Sequence, residues 1–366
     1  MNQFAFFLSF SCLFCSMQLA LAQSSYTMAD FDRVEKIDAH MHLHNDESRA
    51  FMKQARKDKF KVLSINVDYH DFPPLSQQQK AAIVLHKTYP QDYAFIATFS
   101  MQGFGQAGWV DQTLRSLDQA VTDGALGIKI WKNVGMGALD QDGKLVMIDD
   151  IRLDPIIDFA MRNQLVVLGH QGEPKNCWLP LAEMTVNNDR EYFKSHPQYH
   201  MYLHPESVSY EQQMAARDTM VARHPNMRFV GVHLASLEWS VDELARFLDR
   251  FPWANVDISA RIEQLQHQSG LDREKVRQFF IKYQDRIMYG SDLAQSAEQT
   301  DRQFASETHL TWRKDWRYFN TNLRFKVVGM KQPVQGLALP KEVVDKIYRV
   351  NAQTEYPLAW HLAAKN

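Results

Sequence analysis

Residues 35–46 read EKIDAHMHLHND, a short run carrying three histidines beside Asp38. Asp38, His40 and His42 share one parity; Ile37, Ala39 and Met41 share the other. Alternate side chains of a strand point to one face, so this spacing aims two imidazoles and a carboxylate in one direction. Neutral imidazoles plus a carboxylate, with one position left open, suit a catalytic Zn²⁺, and Mn²⁺, Fe²⁺ or Ni²⁺ fit the same donors. Such a metal lowers the pKa of a bound water to ~7 and polarises carbonyls. His-x-His alone is a weak motif. It gains weight from Lys129, His170, His233 and Asp292, each set in or just after another apolar segment.

Those segments define the elements that must position the site. Eight strand-like runs recur: KIDAHMHL from Lys36, KVLSINVD from Lys61, YAFIATFS from Tyr93, ALGIKIWK from Ala125, LVVLGHQG from Leu165, RFVGVHLA from Arg228, ANVDISAR from Ala254 and RIMYGSDL from Arg286. Helical patterns lie between them. One runs from Asp111 to a stop at Gly124. Two others start at Ser209 and Ser240, each with Gln or Glu three residues on, and stop before Pro225 and Pro252. A fourth follows from Asp272. Eight β-then-α units predict a (β/α)8 TIM barrel. The alternative, a doubly wound open sheet, would carry a Gly-rich phosphate turn after its first strand, and here that strand ends in histidines. The strand-five connection, from His170 to Arg228, is long and rich in Trp, Tyr, His and Pro. Loops leaving the C-terminal ends of barrel strands build the active site, so this insertion is expected to be a lid or substrate wall.

In a barrel the inward sets would be Asp38, His40 and His42 on strand one, and Gly127, Lys129 and Trp131 on strand four. They would be Val166, Leu168 and His170 on strand five, and Phe229, Gly231 and His233 on strand six. Asp257, Ser259 and Arg261 follow on strand seven, and Met288, Gly290 and Asp292 on strand eight. Plainer readings exist: Asp292 after Gly-Ser is a reasonable helix N-cap, and Lys129 could pair with Asp257 inside the barrel. The ordered recurrence of ligand-type residues on strands one, four, five, six and eight favours the metal site.

The rest of the chain sets bounds. Of 366 residues, the first 22 carry no charged side chain and end in Ala20-Leu21-Ala22, which reads as a secretory signal peptide. That leaves 23–366 as one TIM-barrel domain, expected to be periplasmic or secreted. Nothing later approaches the ~20 apolar residues of a membrane span. A net charge of −2 points to neither nucleic acid nor an anionic membrane as partner; the expected partner is a small-molecule substrate. Two of the three cysteines lie in the signal segment, so Cys177 has no partner for an internal disulfide. Oligomeric state is not legible.

The motifs DAHMH (38–42), GIKI (127–130), LGH (168–170), HPNMRFVGVHLAS (224–236) and MYGSDL (288–293), with the tail LALPKEVVDKIYRVNAQTEY (337–356), resemble the amidohydrolase superfamily. More narrowly, the sequence is similar to the amidohydrolase-2 type, the group containing aminocarboxymuconate-semialdehyde decarboxylase. The resemblance implies that His40, His42, His170 and Asp292 hold the principal metal, with His233 beside it. Mononuclear relatives use the strand-six histidine on substrate or water; binuclear relatives carboxylate a strand-four lysine, here Lys129, to bridge two metals. One Zn²⁺ is the favoured expectation and two the alternative. Asp292, His233 and Lys129 would be catalytic, and Trp131, Arg261, Trp178 and His204 would contact substrate. The expected reaction is hydrolysis of an amide, lactone or ester; the alternatives are a metal-dependent non-oxidative decarboxylase and a binding barrel without turnover. Within the insertion, His196, His200 and His204 repeat every four residues, but Pro197 and Pro205 argue against one helix carrying all three.

Overall fold

A computed structural model describes residues 24–296 and 298–360; the signal segment at 1–22 lies outside the described residues. All eight strand segments form strands: β1 (Lys36–His42), β2 (Phe60–Ile65), β3 (Tyr93–Thr98), β4 (Gly127–Ile130), β5 (Val166–Gly169), β6 (Phe229–Gly231), β7 (Ala254–Asp257) and β8 (Ile287–Met288). Each pairs parallel with its sequence neighbour. A ninth short strand, β9 (Leu293–Ala294), continues the β8 segment after a turn at 290–292 and pairs parallel with β1. One run therefore bonds to β7 at its start and to β1 at its end. The Ala39 N–H donates to Tyr289 O (2.9 Å) and the Asp292 N–H to His40 O (2.8 Å), closing the ring. The fold is a TIM barrel with helices alternating between strands.

Side-chain alternation divides two apolar layers. Ile37, Leu63, Ile96, Val166, Val230 and Met288 pack together inside the barrel. Phe60, Tyr93, Ile128, Phe229, Val256 and Tyr289 pack outward against the helices. The expected helices are present at Trp109–Thr122, Tyr210–Arg223 and Val241–Arg250, the second closed by a Ser209/Gln212 capping box. The segment expected from Asp272 belongs to a longer helix, Ile262–Lys282, whose backbone kinks at Asp272. The C-terminal tail closes the barrel floor. Asn351 donates to Gln284 O and Ile287 O (both 2.7 Å), and Tyr356 and Trp360 join the interior layer. No described helix is long and apolar enough to cross a membrane.

Candidate metal centre

The strand-one histidines reach the interior through a break in alternation. Asp38 pairs with Val62 and Met41 with Ser64, so β1 carries one residue more than β2 over this stretch. Such a bulge re-aims the side chains that follow it. Ile37 and Ala39 face the interior, whereas Asp38 faces outward, where its Oδ2 accepts from Trp312 Nε1 (2.7 Å) on the helix Asp301–Asn320. The expectation that Asp38 shares a face with His40 and His42 is overturned. Its carboxylate instead braces the bulge: Oδ1 accepts the His40 N–H (3.2 Å) and the Ser291 N–H (3.0 Å). Burial raises the Asp38 carboxyl to about 6, against the lowering pull of these bonds. Gly290 completes the fit, because a Cβ there would lie 2.7 Å from His40 Cβ.

Beyond the bulge, His40 and His42 converge on one oxygen. His40 Nε2 lies 3.2 Å and His42 Nε2 3.1 Å from Asp292 Oδ1. The other ring nitrogens fix the protons. His40 Nδ1 sits 2.8 Å from Asp257 Oδ2, and His42 Nδ1 sits 2.7 Å from the Ile65 carbonyl. Both partners only accept, so each Nδ1 carries the proton and each Nε2 is a lone pair. Two imidazole lone pairs facing a carboxylate oxygen repel one another unless a cation lies among them. Anchoring the remote N–H on a carboxylate or carbonyl is how metal-binding histidines are held. His40, His42 and Asp292 thus fit a divalent cation, and His40, His233 and Asp257 form a second overlapping group.

Three more side chains complete the cluster. Lys129 Nζ is 3.4 Å from His40 Nε2 and fully buried; burial lowers its amine to about 8. His233 Nδ1 lies 2.9 Å from the Ser259 carbonyl, leaving Nε2 free as a lone pair. Its ring lies 4.9 Å from His40 and 4.3 Å from His170. His170 is buried, and neither ring nitrogen has a hydrogen-bond partner among the described residues. A buried polar group without a partner is destabilising, and a nearby metal would supply one; His170 itself lies outside both groups of converging donor atoms, next to His233. Burial holds His40, His170 and His233 below the ordinary histidine value, which keeps them neutral. Burial pushes the Asp292 carboxyl up, and positive charge on the side of His233, His40 and His42 holds it well below the usual range; with those rings neutral, a cation between them would supply that charge.

Strand six also departs from simple parity. Val230 and Val232 face inward and Phe229 outward, the reverse of the expected set. His233 reaches the site because His233, Leu234, Ala235 and Ser236 all adopt left-handed backbone (φ 57, 58, 53 and 56°). This costs about 1–2 kcal/mol per residue and requires outside support. The His233 N–H donates to Asp257 Oδ1 (2.8 Å), Arg217 donates to Ala235 O, and Tyr210 Oη donates to Ser236 O. Asp292 (φ 64°) and Ala260 (φ 55°) are left-handed too, so strain collects around the cluster. Asp257 is the hub that the site assignment from sequence lacked. It binds His40, the His233 N–H and Ser259 at once, and burial is outweighed by His40 and His233 in holding its carboxyl below the usual range.

The expected substrate contacts fall in two places. Trp131 is buried with its ring 4.8 Å from His170 and 5.6 Å from Tyr69, so it lines the site. Arg261 follows β7, is buried, donates to Ala260 O, and leaves Nε without a partner. No carboxylate lies within ion-pair distance among the described residues, while its charge acts on both His170 and His233. Trp178 and His204 have their described contacts inside or beneath the insertion. Trp178 donates to Val208 O (3.1 Å) and packs on Tyr210; His204 bonds Pro197 O (3.1 Å) and sits near Glu206. The insertion is a helix, Asn187–Ser195, followed by short tight turns. Its Tyr199 reaches His70 (3.0 Å) across the mouth, and Lys132 pairs with Glu173 below.

The amidohydrolase family model matches residues 37–358. Solved structures include a protein of Agrobacterium tumefaciens (9% identity, TM-score 0.45, covering 88% of this chain and 96% of that one). Another is YjjV, a TatD homologue of Escherichia coli (11% identity, TM-score 0.44, covering 88% and 97%). No curated protein matches the sequence. A match over almost all of the described barrel, joined to a buried His/Asp cluster, supports a metal-dependent enzyme of hydrolase or lyase type, and the chain belongs to the amidohydrolase family.

Proposed function

We propose that the chain is an exported metal-dependent hydrolase that cleaves a C–N or C–O bond (amide, lactone or ester) in a small substrate. The observation that carries this reading is the convergence of the His40 and His42 lone pairs on Asp292 Oδ1. His40, His42, Asp292 and His170 would hold one divalent metal, Zn²⁺ first among those that fit. When bound it supplies Lewis acidity and a water acidified to about pKa 7. Asp292, whose side chain is 27% exposed, would accept the water's proton and return it to the leaving group. His233, with its N–H held by Ser259, offers a lone pair. It serves as a further ligand or proton acceptor when neutral, and donates to a developing oxyanion only after protonation. Lys129 is a buried cation beside the cluster and a brace for negative charge. In a two-metal centre its amine would be carboxylated. Arg261, buried without a carboxylate partner, would receive a carboxylate of the substrate, with Trp131 as an apolar wall.

Arg261 also favours a second reading, a non-oxidative decarboxylase on the same scaffold, because that reaction requires a substrate carboxylate. Metal-loaded protein assayed against carboxylate-bearing lactones, esters and amides, and against matched free acids, separates the two. Appearance of the hydrolysis products supports the first reading. CO₂ release from the acids with no hydrolysis overturns it.

A further inference from the structure

On the face of the barrel opposite the metal centre, a cavity of about 320 Å³ lies between the starts of β1 and β2 and the C-terminal tail. Small-molecule pockets run from ~300 to ~1,000 Å³. Arg56, Lys59, Lys61 and Arg349 line it, with Glu35 and Asp92 as the acids. Arg56 is already engaged. Its Nε donates to Asp92 Oδ2 (2.8 Å), with Nη2 at 2.7 Å, and its guanidinium lies over the Tyr89 ring (5.2 Å). Lys36, at the start of β1, turns away, its Nζ donating to the Phe31 and Val34 carbonyls (both 2.6 Å). That leaves Lys59, Lys61 and Arg349 against one carboxylate. Glu35 Oε2 is 3.7 Å from Arg349 Nη1, beyond hydrogen-bond reach. Neither lysine has an ion pair or a side-chain hydrogen bond among the described residues.

The backbone of Lys59 is an independent observation. Lys59 follows Asp58, the C-cap of the helix Arg49–Lys57, and is left-handed (φ 61°). Glycine is the usual residue there, because a Cβ is sterically penalised in that conformation. A lysine so placed, with no partner for its amine, is strain without a local compensation, and ligand clamps are among the places where such strain collects. Lys61 shares the inward parity of Leu63 on β2, which brings its stem to the barrel floor. A cavity of this volume is roughly 9 Å across, about one Debye length at physiological salt. The three cations therefore repel one another unless an anion lies among them, and their surplus over Glu35 is two charges. We propose that the barrel floor binds a small dianion, a phosphate monoester or a dicarboxylate, contacted by Lys59, Lys61 and Arg349. Ammonium and guanidinium donors suit both acid groups. The N-terminal face of such barrels ordinarily serves stability rather than chemistry, so the bound ion acts on the fold and is not a substrate. Binding at the floor needs no turnover at the mouth and does not depend on the hydrolytic reading.

The test is isothermal titration of metal-loaded protein with glycerol 2-phosphate and with glutarate, glycerol being the uncharged control. At least one dianion should bind at millimolar concentration or tighter, and the stronger of the two names the acid group. Lys61→Gln should weaken binding about tenfold, the loss of one charge-assisted hydrogen bond, with metal content unchanged. Lys59→Gly should weaken it similarly, yet leave the Tm of the ligand-free protein equal to wild type or higher, because it relieves the left-handed strain. Absence of binding by both dianions would overturn the proposal, as would a response to glycerol equal to theirs. Unchanged affinity in both variants would overturn it too, by placing the anion elsewhere, at the metal centre first of all. A ligand-free Tm well below wild type in Lys59→Gly would assign Lys59 to the fold and count against it equally.

Discussion

At the scale of single residues, the site rests on which nitrogen carries the proton. The ligand-type residues His40, His42, His170, His233, Lys129 and Asp292 were legible because each lies near a strand end in a recurring pattern. The groups that fix their protons were not. Asp257 was visible as an inward strand-seven residue, but its threefold engagement with His40, His233 and Ser259 depends on how close three strands approach. Asp292→Asn should retain most of the metal and lose roughly 10²–10⁴ in kcat, the usual range for a missing proton-transfer group. Metal analysis and steady-state rates check this; near-wild-type kcat would remove Asp292 from proton transfer.

At the scale of elements, two irregularities do the positioning. Strand parity read from sequence assumes unbroken alternation. It therefore placed Asp38 inside and reversed the faces of β6, although it read β4, β5 and β7 correctly. The β1 bulge turns His40 inward, and one carboxylate, Asp38, holds both that bulge and the turn that presents Asp292. Asp38→Asn keeps the size but converts one oxygen into a donor, which leaves a buried N–H without an acceptor at about 1–3 kcal/mol. The variant should fold with reduced stability and bind metal about 10–100-fold more weakly, as expected when a group supporting a ligand is altered. Calorimetric metal titration decides this, and undiminished affinity would assign Asp38 to the core alone. The left-handed turn 233–236 depends similarly on Arg217. Arg217→Met should destabilise the protein and displace His233, visible as a changed d–d spectrum of the Co²⁺ form; a spectrum identical to wild type would show that the turn holds itself.

At the scale of the whole molecule, the barrel followed from eight apolar runs separated by helical patterns, and the long strand-five connection marked the mouth. The split of the last strand into β8 and β9 was not legible, since ring closure is a matter of spatial return rather than local pattern. Outside the barrel wall, buried Asp315 accepts from Tyr289 Oη (2.7 Å), and burial raises its carboxyl to about 7. A folded-state pKa above the unfolded value of 3.8 stabilises the protein at low pH, and that stability is lost as pH rises through about 7. Relative to Asp315→Asn, the wild type should therefore lose up to about 4 kcal/mol between pH 4 and 7. Urea unfolding of both proteins across that range measures the difference, and parallel profiles would exclude a raised Asp315.

The central claim is that His40, His42 and Asp292 surround a divalent cation. Its most direct test is metal stoichiometry in purified, Zn²⁺-reconstituted wild type and His42→Ala, with circular dichroism as the check on folding. The arrangement predicts at least one tightly held equivalent in the wild type and loss of that equivalent in a folded variant. A wild-type chain that holds no metal, or a His42→Ala protein that keeps the full equivalent, would contradict it.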